Sequence, residues 1–202
     1  AQYVDGLIER GARCACLYPT SHHTTLNGRI LGRLLAALER RRLPLAVFET
    51  PLIDVAALAA GHPALPFLVH APGYRDRTWV PFFCDTPNLY LSIAPNFAPY
   101  RGLEKIVAQV GHDRILFASS YPAAEPGAPI AQLLYSDVSD ESVRAIGGEN
   151  LNRLLANVDA SAGDPPQKTC TRPHSAQAGG ICDRVWRRER LPWKGIVDMH
   201  AH

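Results

Sequence analysis

Short apolar runs of strand length recur through the first 120 residues, and stretches of helical character separate them. The runs are 13–18 (RCACLY), 45–49 (LAVFE), 66–70 (PFLVH), 88–93 (NLYLSI) and 115–119 (ILFAS). Several are almost continuously apolar instead of alternating. That pattern suits parallel strands covered on both faces. Between the first two, Leu26, Ile30, Leu34, Leu35 and Leu38 fall on one face of a helix. Arg40, Arg41 and Arg42 close it, well placed for its negative end, and Pro44 stops it before the next strand. Leu103, Ile106, Val107 and Val110 mark a second helix, with Gly111 as its C-cap. Val143, Ile146, Leu151, Leu154 and Leu155 mark a long last helix that Gly147 and Gly148 should kink or break. At the start, Tyr3, Val4, Leu7 and Ile8 read as the end of a helix before Gly11. Strand and helix in alternation imply βαβ units and a parallel sheet.

About five such units precede residue 158, whereas a closed eight-unit barrel takes about 250 residues. The expected fold is therefore α/β, either a small doubly wound sheet or part of a (β/α)8 barrel. A core is affordable: hydrophobic residues make up 47% of the chain and charged ones 20%, so disorder is not expected. With 21 basic and 19 acidic residues the net charge is +2, which argues against a nucleic-acid or membrane-surface partner. No apolar run approaches the roughly 20 residues of a membrane span. The opening residues lack a signal-peptide pattern. Cys14, Cys16, Cys84, Cys170 and Cys182 are odd in number and scattered, which suggests buried or half-buried free thiols in a reducing cytoplasm. No G-x-G-x-x-G or phosphate-binding loop follows a strand.

After Val158 the composition turns to Pro, Gly, Ser and Ala, so 159–194 reads as a linker. Within it, 181–190 (ICDRVWRRER) is a short basic amphipathic stretch, expected to be a solvated helix face. Residues 195–202 end in IVDMHAH. On a strand, His200 and His202 point the same way and could grip one Zn²⁺ or similar divalent cation.

Several of these motifs together resemble the amidohydrolase superfamily, in particular its decarboxylase-like barrels. The tail IVDMHAH resembles the first barrel strand, with its H-x-H metal motif. NLYLSIAPNF is similar to a strand read as N-x-Y-L-D, and GHDRILFASSYP to G-x-x-R-I-L-F-G-S-D-Y-P. VSDESVRAIGGENLNRLL resembles the closing helix with its G-x-N-x-x-R-L-L ending. The resemblance covers roughly 1–158 as barrel units four to eight. It implies a partial TIM-like barrel with an irregular C-terminal tail, the start of a second barrel. An arc with open strand edges is expected to associate, as a homo-oligomer or with a tandem second barrel.

The resemblance also assigns roles. The fifth strand of such barrels ends in a metal-binding His, and this chain has Glu49, a carboxylate that can also ligate. The sixth ends in a His near the substrate, matched by His70. The eighth ends in an Asp that ligates metal and acts as base, and here stands Ser120, a poor base and weak ligand. Ser21, His22 and His23 fall at a strand end too, the histidines expected to be solvated. The expected activity is metal-dependent hydrolysis or decarboxylation of a small carboxylate, amide or lactone-like substrate, with His70 at the substrate and Glu49, His200 and His202 as ligands of a divalent metal, Zn²⁺ first. The alternative is a non-catalytic barrel module that packs against a partner domain, a reading that Ser120 and Glu49 motivate.

Overall fold

The computed structural model describes residues 2–26, 29–70, 79–94 and 100–161. All lie in the first of two units, Ala1–Pro165. The second unit, Pro166–His202, lies outside the described residues. With it fall His200, His202, the tail strand, the basic stretch 181–190 and nearly all of the expected linker.

Five strands form one all-parallel sheet: β1 (Ala15–Leu17), β2 (Leu45–Val47), β3 (Phe67–His70), β4 (Leu89–Ile93) and β5 (Ile115–Phe117). Their spatial order is their order along the chain. A doubly wound sheet reverses its order at a switch point. Strictly sequential order is that of a barrel arc, so the fold is a partial (β/α)8 barrel. Every strand falls within an apolar run that the sequence marks out.

The helices are α1 (Gln2–Glu9), α2 (Arg29–Arg40), α3 (Leu52–Gly61), α4 (Trp79–Asp85), α5 (Gly102–Val110), α6 (Gly127–Leu134), α7 (Asp140–Arg144) and α8 (Asn150–Ala156). Helix α2 starts later than its apolar face suggests, because Leu26 lies in the preceding turn. Gly11 and Gly111 take positive φ (93° and 75°) after α1 and α5, the geometry that glycine permits at a helix end. Between α7 and α8 the chain widens into a π-helical turn, Ala145–Glu149, where Gly148 leaves helical geometry. This is the break expected at the glycine pair. Three helices escaped the apolar-face reading: α3, α4 and α6. Helix α3 (LIDVAALAAG) is apolar nearly all round, so it shows little periodicity.

Alternate strand residues separate two layers. Leu45, Val47, Phe67, Val69, Leu89 and Leu91 join the main core, with Ile8, Leu35, Val55 and Ile106 from the helices. Ala46, Leu68 and Leu116 point the other way and meet Leu154 of α8. Coverage on both faces explains why β2 and β3 are unbroken apolar runs. β1 lies at the sheet edge, so Cys14 and Cys16 are exposed, as is Cys84 on α4. For these three thiols this corrects the expectation of burial or half-burial: Ala15 and Leu17 take the core side of β1, and Cys14 and Cys16 are left on its other side, while Cys170 and Cys182 lie outside the described residues.

Two residues of the resemblance motifs prove to be structural. Arg114 stacks on Phe83, 4.1 Å from the ring centre, and donates to the carbonyls of Phe83 and Thr86 at 2.9 Å. Asn150, only 1% exposed, donates from Nδ2 to the carbonyls of His112 (2.7 Å) and Ile115 (2.9 Å), tying α8 to β5. Leaving such carbonyls unpaired costs about 1–3 kcal/mol. Asn150→Ala should therefore lower unfolding free energy by about that amount in urea titration; an unchanged midpoint would show that the tie contributes nothing.

Candidate active site

Parallel pairing sets the site. In the sheet register Leu17 lies beside Val47, Val47 beside Val69, and His70 beside Ser92. One residue further along β1 and β2, Tyr18 and Phe48 continue that row, and the Phe48 N–H donates to the Leu17 carbonyl at 3.0 Å. Tyr18, Phe48, His70 and Ser92 thus form a line across four strands on the inner face. The Tyr18 and Phe48 rings stack at 4.4 Å with 9° between planes, and the His70 ring tilts against Phe48 at 4.9 Å. His70 Nδ1 lies 3.2 Å from Ser92 Oγ.

Ser120 enters from beyond β5. It takes a left-handed backbone (φ 58°), uncommon outside glycine and a mark of functional loops. Its Oγ lies 3.1 Å from His70 Nε2. The imidazole is thus held at both nitrogens by hydroxyls. Around it opens an apolar cleft of about 560 Å³, whose walls include Tyr18, Phe48, Leu68, Leu116, Ser120 and Tyr121. It sits at the C-terminal strand ends, where barrel enzymes keep their sites.

Glu49 follows Phe48 beyond the end of β2 and is not among the residues that line the cleft. It too has positive φ (55°), and its exposed carboxylate turns to Ser21, accepting from the Ser21 hydroxyl at 2.9 Å and the Ser21 N–H at 3.2 Å. Ser21 and Glu49, both expected at strand ends, thus bond to each other, and the Glu49 carboxylate is turned to Ser21 and not to His70. His22 and His23 are exposed, as expected, His22 standing edge-on to Tyr18 at 5.7 Å. Among the described residues no three His, Cys, Asp or Glu side chains gather as a metal ion would require. The polar side chains that line the cleft are one imidazole and the neutral hydroxyls of Tyr18, Ser92, Ser120 and Tyr121, a set that does not by itself fit a divalent cation.

Tyr18, Phe48 and Ser92 were not singled out from the sequence. A signal existed for Ser92: it stands where the N-x-Y-L-D strand pattern has its Asp. Both acid positions of the resembled pattern, at Ser92 and Ser120, carry serine here, and both serines touch His70.

Comparison with known proteins agrees with this geometry. The sequence model of a family described as Amidohydrolase matches residues 3–156. This chain belongs to the amidohydrolase family. Among solved structures, a dihydroxybenzoic acid decarboxylase from Polaromonas sp. JS666 with bound manganese and the inhibitor 2-nitroresorcinol is 16% identical, with TM-score 0.53 over 66% of this chain and 55% of that one. A 5-carboxyvanillate decarboxylase from Sphingomonas paucimobilis is 14% identical, with TM-score 0.57 over 75% and 62%. An amidohydrolase from Burkholderia multivorans with bound zinc is 17% identical, with TM-score 0.52 over 65% and 58%. This chain thus spans a little over half the length of these proteins, and the likeness is one of fold. No curated protein matches it.

Burial lowers the His70 pKa below the ordinary histidine value, because desolvation disfavours imidazolium. As pH falls below about 6.5 the unfolded chain takes up this proton before the folded one does, so the contribution to stability is lost in acid. His70 should titrate below the ordinary histidine value by NMR, and His70→Gln should flatten the acid side of the stability curve. A His70 midpoint above that value would contradict the burial of its ring.

Proposed function

We propose that this chain carries the substrate-binding arc of an amidohydrolase-type hydrolase or decarboxylase that acts on a small carboxylate, amide or lactone-like molecule. One observation supports it above the others: the family's substrate-side histidine, His70, stands at the mouth of an apolar, aromatic-walled cleft at the C-terminal strand ends. The stacked Tyr18 and Phe48 rings offer a flat surface for a planar substrate. Two relatives of the same fold are decarboxylases of aromatic acids, which makes an aryl carboxylate the first substrate to test.

Manganese and zinc in two of these relatives favour a divalent cation for this protein, zinc first. Such a cation lowers the pKa of a bound water. Glu49, His200 and His202 are the ligands proposed for it, Glu49 by its place at the end of β2 and the histidines by the H-x-H pattern, all on sequence alone. We also propose the boundaries 1–158 for the barrel arc, 159–194 for a linker and 195–202 for a further strand. Serine at both acid positions favours a second reading, a non-catalytic module that retains the cleft.

Metal analysis joined to calorimetric titration with dihydroxybenzoate separates these readings. The first predicts saturable binding that weakens up to about tenfold on Phe48→Ala, and bound metal that is lost on His200→Ala with His202→Ala. Saturable binding without metal would leave the ligand cleft and remove the metal assignment. No binding at all would overturn the proposed function.

A further inference from the structure

Ser120, His70 and Ser92 are joined in one line of hydrogen bonds at the cleft, with Ser120 Oγ 3.1 Å from one imidazole nitrogen and Ser92 Oγ 3.2 Å from the other. A nucleophile, a base within hydrogen-bond reach and a third group that orients the base make up the arrangement of serine hydrolases, recognised by geometry and roles and not by fold. We propose that Ser120 is a nucleophile activated by His70, with Ser92 positioning the imidazole, and that the cleft performs metal-independent acyl transfer on small esters with an aryl leaving group or acyl part. The inference rests on the reading of the cleft as the substrate site, and it departs from that reading in assigning covalent chemistry to residues of this chain.

Five further observations point the same way. Ser92 is buried, at 8% exposure, so its hydroxyl is a fixed partner that can accept from Nδ1–H and leave the Nε2 lone pair facing Ser120. Ser120 is half-buried, opens onto the cleft and has the left-handed backbone that presents a side chain at a sharp turn after a strand. The cleft walls are otherwise apolar and aromatic, which favours an aryl ester over a charged substrate. Burial keeps the imidazole in its neutral, basic form to lower pH than usual. The backbone N–H of Tyr121, next to the nucleophile, donates to the half-buried Ser119 hydroxyl at 3.2 Å, a contact that a developing oxyanion can replace.

The step balances without any co-reactant beyond water. Ser120 Oγ bonds to the acyl carbon while its proton passes to His70 Nε2. The bond from that carbon to the leaving oxygen then breaks, and the oxygen takes the proton from His70, which leaves an ester on Ser120. Water attacks this ester with His70 again as base, releasing the carboxylic acid and restoring the Ser120 hydroxyl. Nothing is oxidised or reduced.

The test uses the full 202-residue protein, para-nitrophenyl acetate and excess EDTA. Expected are release of nitrophenol and, in quenched samples, an acetyl group mapped to Ser120 by peptide mass spectrometry. Ser120→Ala and His70→Gln should each slow release at least about a hundredfold with little change in melting temperature, and Cys84→Ala should leave the rate as it was. Mapping the adduct on the unmodified protein keeps the test valid if a variant fails to fold. An acetyl group only on another residue, or no nitrophenol release above buffer, would overturn the proposal. Dihydroxybenzoate binding measured on the same sample tells the two ideas apart: binding without acylation sinks the nucleophile and keeps the cleft.

Discussion

Parallel strand pairing in sequential order is the constraint on which the rest depends. Neighbouring strands in register bring residues of equal height side by side, and alternation decides which face they take. Given the pairing of His70 with Ser92 and of Val47 with Val69, Phe48 can only stand beside His70 on the inner face, with Tyr18 beyond it. The outer face meanwhile buries Val47, Val69 and Leu91 against the helices. The apolar packing that stabilises the sheet and the row of groups that can meet a ligand are two sides of the same register. A slip by one residue would send His70 into the core and Val69 into the cleft.

Much of the fold was legible in the sequence because that packing is repetitive. Apolar runs marked all five strands, and glycine pairs or singles marked where α1, α5 and the last helix stop or bend. Helix α3 stayed hidden because it lacks a polar stripe, and α4 and α6 because they are short. Strand order could not be read from periodicity. It follows from a sheet that keeps adding its next strand on one side, and only the pairing reveals that.

The site was less legible for a physical reason. Its geometry comes from residues far apart in sequence, and two of its groups lie just past strand ends where backbone conformation decides direction. Ser120 reaches His70 because its φ is positive, and Glu49 turns to Ser21 from a similar conformation. A sequence reading saw Ser120 as a lost acid. The structure shows it bonded to the one histidine that the resemblance had kept, opposite Ser92, which also replaces an acid. Where the resembled pattern has carboxylates that suit a metal, this arc has hydroxyls that suit an imidazole. The described half of the site is thereby self-consistent as a hydrogen-bonded unit, whatever ligands residues outside it supply.

In the proposed function, His70 and its row form the face that a ligand meets. Histidine ring signals followed by NMR during titration with an aryl carboxylate test this most directly. His62, bonded to Glu39, and His112, bonded to Ser142, precede β3 and β5 and so lie toward the opposite end of the strands. The prediction is a saturable shift of the His70 signals with those of His62 and His112 unmoved. Shifts at His62 or His112 with His70 unmoved would contradict it.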